Sequence, residues 1–271
     1  MTGLKIAIAG AGGRMGAANI RAVLENPACE LVAAFDRSGA PAIGRDAGTH
    51  AGLEPAGIAI SEDIEAALSL ADAVIDFTAP AASVALARQA AEKGMALVIG
   101  TTGCSSDDDL AIAAAGEAGA RIVKSGNMSL GVNLLAALVR KASAALGEEF
   151  DIEVLEMHHR HKVDAPSGTA LMLGEAAAQG RGVDLSDVAV YAREGHTGPR
   201  RSGDIGFATL RGGGVIGDHS VILASGTERI TLGHAAQDRQ LFAQGAVRAA
   251  LWAGTQGPGL YDMTDVLGLK D

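Results

Sequence analysis

Residues 5–16 read KIAIAGAGGRMG, and they decide the fold. Lys5 to Ala9 is a short apolar run suited to a strand. A glycine turn follows, and then a helical pattern that places Ile20, Val23 and Leu24 on one face. The common G-x-G-x-x-G register fails because position 15 is Met, so the fit is G-x-x-G-x-x-G through Gly10, Gly13 and Gly16. Glycines in a strand-turn-helix context permit a tight turn, let backbone N–H groups approach a pyrophosphate, and let the helix pack on the sheet. A bare βα turn without ligand is the alternative, and the residues that follow weigh against it.

Leu31 to Phe35 is the second apolar run. It ends at Asp36-Arg37, with Asp36 about 20 residues past the last motif glycine. A carboxylate there can accept from both hydroxyls of an adenosine ribose, which favours NADH. An adjacent guanidinium can pair with the 2'-phosphate of NADPH. Both residues are present, so both cofactors are expected and the preference stays open.

The alternation then continues with helices near Glu62–Leu70, Ser83–Lys93 and Ser106–Ala118, and strands at Ala73–Phe77, Ala96–Ile99 and Arg121–Lys124. This predicts an α/β fold with a Rossmann-like, doubly wound parallel sheet. Ligands of such sheets sit outside the carboxyl ends of the strands. Three strand ends carry small or polar turns: Phe77-Thr78-Ala79-Pro80, Gly100-Thr101-Thr102-Gly103 and Ser125-Gly126-Asn127-Met128. All three are expected to face the nicotinamide half of a dinucleotide.

After a helix over Leu130–Leu146 the chain becomes rich in short strands: Phe150–Met157, Val188–Ala192, Ile205–Leu210, Val215–Leu223 and Arg229–Gly233. A second α+β domain containing a mixed or antiparallel sheet is expected, with its boundary set near Met128 by the change of pattern alone. A sheet with one exposed apolar face would suit oligomer contacts. The last long helix spans about Arg239–Trp252, with Leu241, Phe242, Val247 and Leu251 to bury.

The segment Glu156–Ala170, EMHHRHKVDAPSGTA, carries the chemistry. His158, His159 and Lys162 follow a short strand, and Pro166, Ser167, Gly168 and Thr169 open a helical stretch. A helix start presents unpaired N–H groups and a positive dipole end, so it holds carboxylates. With a cation and imidazoles upstream, the expected ligand is a small anion that also needs a proton. On an extended segment His158 and His159 point to opposite sides, which disfavours a shared metal ion, and no metal site is expected. A solvated basic loop, with Lys162 merely paired to Asp164, is the competing reading.

Composition sets the limits. The chain has 271 residues, 48% hydrophobic but only 3% aromatic, so its core must be built from Ala, Val, Ile and Leu. A formal net charge of -10 argues against nucleic acid as a partner. Two cysteines, Cys29 and Cys104, form no disulfide framework. The chain enters a strand at once, without the apolar region of a signal peptide, and contains no run long enough to span a membrane, so a cytoplasmic location and no membrane partner are expected.

With GAGGRMG, GTTG and HHRHKVDAPSGTA in this order, and REGHTGPR and FAQGAVRAALW beyond them, essentially the whole chain resembles the 4-hydroxy-tetrahydrodipicolinate reductases, also called dihydrodipicolinate reductases, of diaminopimelate and lysine synthesis. The resemblance implies a homotetramer. Residues 1–128 with 239–271 would form the domain that binds NADH or NADPH, and residues 129–238 would bind the dicarboxylate substrate and supply the oligomer sheet. It further implies that His158 is the proton donor, Lys162 its cationic partner, His159 a substrate-binding residue, and Gly168 and Thr169 the carboxylate cradle. Gly10, Ala11, Gly12, Gly13, Arg14, Met15, Asp36, Arg37, Gly100, Thr101, Thr102, Ser125, Gly126, Asn127 and Met128 would contact the cofactor. Two departures bear on cofactor preference: Asp36 stands where Glu is common, and Ala79 where some relatives carry Arg. Another amino- or imino-acid dehydrogenase, such as an aspartate dehydrogenase, and a non-catalytic NADH-sensing protein are the rival readings. The second lacks any helix-turn-helix, basic patch or coiled-coil heptads to act through.

Overall fold

A computed structural model describes residues 3–270. These pack as two units: the residues up to Ser129 together with those from Gln240 on, and Leu130–Arg239.

In the first unit the chain runs β1 (Leu4–Ala9), α1 (Arg14–Leu24), β2 (Cys29–Phe35), α2 (Ala47–His50), β3 (Ile60–Ser61), α3 (Ile64–Leu70), β4 (Ala73–Asp76), α4 (Pro80–Lys93), β5 (Ala96–Ile99), α5 (Ser106–Glu117) and β6 (Arg121–Lys124). In the second it runs α6 (Leu130–Leu146), β7 (Asp151–His158), α7 (Gly168–Arg181), α8 (Leu185–Val188), β8 (Ala189–Val190), β9 (Ile205–Arg211), β10 (Gly217–Ala224) and β11 (Arg229–Ala236). It then returns to the first unit as α9 (Gln240–Ala253), β12 (Gly259–Tyr261) and α10 (Met263–Val266).

The first sheet has the order β12-β6-β5-β4-β1-β2-β3, with every pairing parallel. Its central strands are apolar over most of their length, as suits strands covered on both faces, and Ile6, Ile8, Leu97 and Ile99 are fully buried. The strand order turns at β1, which has β4 on one side and β2 on the other, so the crevice for a ligand lies at the β1 carboxyl end. Glycine is required at close backbone approaches in this unit, two of which place the helices on the sheet. A Cβ on Gly16 would come 2.2 Å from the Gly10 carbonyl, and one on Gly245 of α9 would come 1.8 Å from the Met128 carbonyl.

The second sheet has the order β11-β10-β7-β9-β8, with β10 antiparallel to both β7 and β11, and β7, β9 and β8 mutually parallel. It is therefore mixed. Along β7 alternate residues are buried: Ile152, Val154, Glu156 and His158. The first two join a core with Leu173, Phe207, Val221 and Leu223, while the last two carry the same face out of the core as a polar end. One expected strand is largely absent. Instead of a strand over Val188–Ala192, a short helix occupies Leu185–Val188 and only Ala189–Val190 pairs with the edge of β9. Helix α4 begins at Pro80, earlier than expected, because Pro at the first helical turn has a fixed φ and lacks an N–H that the helix could not use there. Among the described residues no helix is long and apolar enough to cross a membrane.

Candidate active site

The first unit gathers its expected residues at the carboxyl edge of the parallel sheet. Gly10 leaves β1 with φ +65°, a left-handed conformation that a side chain resists. A Cβ there would also meet the Thr78 methyl at 2.8 Å. Ala11 donates to the Phe35 carbonyl at 3.0 Å, and Gly12 donates to Oδ2 of Asp36 at 2.8 Å. The other Asp36 oxygen accepts from the Arg37 amide at 2.7 Å. The glycine turn and the β2 terminus are thus joined through one carboxylate, each oxygen of which retains a further lone pair.

Gly12, Gly13, Asp36, Arg37, Arg45 and His50 are among the residues lining a pocket of about 330 Å3. Helix α1 begins here at Arg14 and Met15, with Gly13 as its N-cap. No side chain caps it and no acidic residue lies in its first turn, so its positive end suits an anion. A Cβ on Gly12 would press on Asp36 Oδ2 at 2.9 Å and on the Ala42 methyl at 2.8 Å. These features fit a dinucleotide: a cradle that only glycine leaves open, an anion seat, a ribose-type acceptor and adjoining cations.

The remaining expected cofactor contacts lie on neighbouring strands of the same edge. Gly100 donates to the Asp76 carbonyl at 2.9 Å, and its lack of a side chain admits the Phe77 ring, which a Cβ would meet at 2.4 Å. Ser125 donates to the Ile99 carbonyl at 3.1 Å, and its hydroxyl takes part in a turn with Asn127. Gly126 is exposed and Met128 buried. Thr102 is exposed, but the Thr101 hydroxyl is turned inward. It lies 2.9 Å from Ser83 Oγ and accepts from the Thr78 amide at 3.0 Å. Beneath it sits Asp76, fully buried, which accepts from the Thr78 amide at 3.0 Å and from the hydroxyls of Thr78 and Ser83. Burial pushes the Asp76 carboxyl up, against the opposing pull of these donors. What Thr101 offers a ligand is therefore its backbone.

In the second unit the strand and the helix start of the Glu156–Ala170 segment meet at Glu156, a residue to which the sequence reading gave no role. Its carboxylate is 1% exposed. Oε2 lies 2.6 Å from Nδ1 of His158 and accepts from one Arg211 nitrogen at 2.8 Å. Oε1 accepts from the other at 2.9 Å and from the Ser167 amide at 3.0 Å. Burial alone would raise this carboxyl, but the Arg211, His158 and Ser167 donors outweigh it and hold it below the usual carboxylate range. Ser167, the N-cap of α7, accepts from the Ala170 amide at 3.1 Å, and its hydroxyl lies 3.1 Å from Nε2 of His219.

The His219 ring stands edge-on to His158, with centroids 5.0 Å apart. Burial and the His158 charge hold His219 down to about 4, so it is neutral near pH 7. Among the described residues nothing hydrogen-bonds Nε2 of His158, and a Cβ on Gly217 would lie 3.0 Å from it. Gly168 at the helix start faces open space, and Thr169 beside it is half-buried.

His159 turns to another side of the segment, where its Nε2 lies 3.4 Å from Arg239. Desolvation and the nearby Arg239 and His161 hold its imidazole below the usual range. Lys162 pairs with Asp164 at 2.8 Å, and the loop is tied down where Arg211 donates to the Asp164 carbonyl at 2.7 Å. Period-two alternation already puts Glu156 on the His158 face, a signal within reach of the sequence. Arg211 and His219 arrive from other strands and carry no such signal.

Two family models, described as dihydrodipicolinate reductase N-terminus and C-terminus, match residues 4–128 and 131–267. A 4-hydroxy-tetrahydrodipicolinate reductase of Brucella melitensis biotype 1 is 60% identical over 266 residues, covering 98% of this chain and 99% of its own. The protein of that name from Sinorhizobium fredii is 60% identical over 270 residues, with 99% of each covered. Among solved structures, a dipicolinate-bound dihydrodipicolinate reductase from Paenisporosarcina sp. TG-14 is similar with a TM-score of 0.76, over 97% of this chain and 99% of that one. At 22% identity that likeness speaks to the fold alone.

Proposed function

The chain belongs to the dihydrodipicolinate reductase family, and from that premise we propose how its residues divide the reaction. It is an NAD(P)H-dependent oxidoreductase that reduces 4-hydroxy-tetrahydrodipicolinate to tetrahydrodipicolinate in diaminopimelate and lysine synthesis. NADH or NADPH, when bound, supplies a hydride to the conjugated cyclic imine left when the hydroxylated substrate loses water.

The glycine turn from Gly10 to Met15 and the α1 start hold the pyrophosphate, while Asp36 and Arg37 hold the adenosine ribose and any 2'-phosphate. Gly100, Thr101 and Thr102, with Ser125, Gly126, Asn127 and Met128, orient the nicotinamide, Thr101 through its backbone. In this reading residues 1–128 with 239–271 serve as the dinucleotide-binding domain, and residues 129–238 as the substrate-binding and oligomerisation domain.

Reduction leaves an electron-rich nitrogen–carbon system that must take a proton. His158 delivers it from Nε2, and the observation that carries this reading is that Nδ1 is anchored on Glu156 while Nε2 has no hydrogen-bond partner among the described residues. An imidazole has an ordinary pKa of about 6.5 and so suits general acid work near neutral pH. Lys162 exchanges Asp164 for a substrate carboxylate, Gly168 and Thr169 present the helix start to it, and His159 binds the other end of the dicarboxylate. Strand β11 stands at the open edge of the second sheet with its residues exposed or half-buried, an edge suited to pairing between subunits, and on that ground we propose assembly as a homotetramer in the cytoplasm.

The test is loss of NADH and NADPH absorbance when substrate is generated from aspartate semialdehyde, pyruvate and a separate synthase. Synthase-dependent oxidation that falls at least a hundredfold in kcat in His158→Gln, with much smaller change in KM, is the expected result. Equal losses in kcat and in affinity would remove the acid role. Oxidation of free aspartate with NAD would point instead to an amino-acid dehydrogenase.

A further inference from the structure

We propose that Glu156 is a positioning residue for this proton transfer. Clamped by Arg211 and the Ser167 amide, it fixes the tautomer and orientation of His158, and the clamp's charge balance sets the pH range over which Nε2 holds its proton. The proposal rests on the reading of His158 as the acid.

An ionised carboxylate only accepts hydrogen bonds. At 2.6 Å from Glu156 Oε2, Nδ1 of His158 must therefore carry a proton in both charge states of the ring, which leaves Nε2 as the nitrogen that gains and loses one. The carboxylate cannot turn away, because its four acceptor positions are taken by His158, two Arg211 nitrogens and the Ser167 amide. Arg211 is itself held, donating to the carbonyls of Leu210 at 2.6 Å and Asp164 at 2.7 Å. Strand register supplies the arrangement: His158 lies opposite Arg211 on β9, and Glu156 opposite His219 on β10.

Charge decides the second half of the proposal. The charged and titratable groups facing His158 are Glu156 on its own strand, Arg211 from β9, and His219 from β10, with His159 and the Lys162–Asp164 pair in the loop that follows. His219 is neutral near pH 7, and Lys162 is offset by Asp164. The Glu156 anion favours the imidazolium, while the Arg211 cation opposes it. Removing either member of the clamp must therefore move the proton affinity of His158 in opposite senses. A merely structural ion pair at this place would leave the pH dependence alone.

The test is the pH profile of kcat, whose basic limb marks loss of the acid's proton, in wild type, His158→Gln, Glu156→Gln, Glu156→Asp and Arg211→Gln. Folding is checked by far-UV circular dichroism and by NADH affinity. In Glu156→Gln the limb is expected about one pH unit to the acid side. There kcat should fall about tenfold or more, with KM changing less than about threefold. Glu156→Asp keeps the charge, so its limb should stay near the wild-type position while kcat drops. Arg211→Gln should move the limb to the alkaline side. If that variant does not fold, the Gln and Asp pair at 156 still decides. A limb retained in His158→Gln defeats the acid reading itself. A limb lost in His158→Gln but unmoved in both Glu156→Gln and Arg211→Gln overturns the clamp alone.

Discussion

The Ser167 amide donates to Glu156 across 3.0 Å, and the carboxylate that receives it also holds Nδ1 of His158. The start of α7 and the His158 ring are therefore placed by one group, so that an anion seated at the helix start would stand in a fixed relation to that imidazole. The Ser167 hydroxyl is a separate device, capping Ala170 and meeting His219. Ser167→Ala removes the hydroxyl and leaves the amide contact. Loss of the cap should cost about 1 kcal/mol of stability. Urea unfolding should show that loss, and steady-state kinetics should show KM for the substrate rising several-fold while kcat changes less. A fall in kcat as large as that of Glu156→Gln would mean that the hydroxyl, not the amide, holds the carboxylate.

Gly217 borders His158 Nε2 closely enough to test where that nitrogen works. A methyl group at 3.0 Å is tighter than ordinary contact, and the imidazole cannot retreat without stretching its bond to Glu156. Gly217→Ala is expected to lower kcat about tenfold while NADH affinity stays unchanged. Full kcat in this variant would show that Nε2 is not the nitrogen facing substrate.

The parts legible in the sequence are those governed by local rules. Continuous apolar runs such as Lys5–Ala9 and Ala96–Ile99 mark strands covered on both faces, and the turn at Gly10 carries its own backbone demand. Val188–Ala192 departs from its expected strand because a β-rich pentapeptide pairs only if an edge is offered, and β9 offers one to Ala189–Val190 alone. Gly259–Tyr261 shows the opposite case: three residues with no apolar periodicity become a strand by docking on β6. At the site, HHRHK and SGT advertise themselves by composition. The group joining them does not, since Arg211 reaches Glu156 through β7–β9 register and Ser167 reaches it across a loop, neither of which spacing encodes.

The Asp36–Arg37 pair should separate the two cofactors. Asp36 holds the Gly12 amide at 2.8 Å and lines the same pocket as Arg37 and Arg45. Arg37→Ala is expected to raise KM for NADPH about tenfold and to leave NADH almost unaffected, the size of one charge-assisted hydrogen bond. Asp36→Ala should weaken NADH by a similar factor and shift the NADPH to NADH ratio upward. Both ratios come from one set of absorbance assays, and equal effects on the two cofactors in Arg37→Ala would take the 2'-phosphate away from this residue.

His219 ties the stability of the second unit to pH. Its imidazole is buried against Ser167 and His158, and burial with the His158 charge holds it down to about 4, whereas in an unfolded chain it titrates near 6.5. A depressed folded value means that the unfolded state binds the proton first. The contribution is therefore complete above about pH 6.5 and is lost as pH falls toward 4. The difference amounts to about 3 kcal/mol at most. Carboxylates held low, among them Glu156 and Asp46, keep their contribution through most of this window and lose it only below about pH 4.5. His234 is also depressed by burial and adds a smaller slope of the same sign. His219→Gln keeps a donor for Ser167 and removes the titration. Unfolding free energies from urea titrations at pH 7.5, 6, 5 and 4.5 should fall steeply in wild type and much less in His219→Gln, with the two curves closest at the acid end. Parallel curves across the window would mean that His219 accepts its proton in the fold as readily as in the open chain.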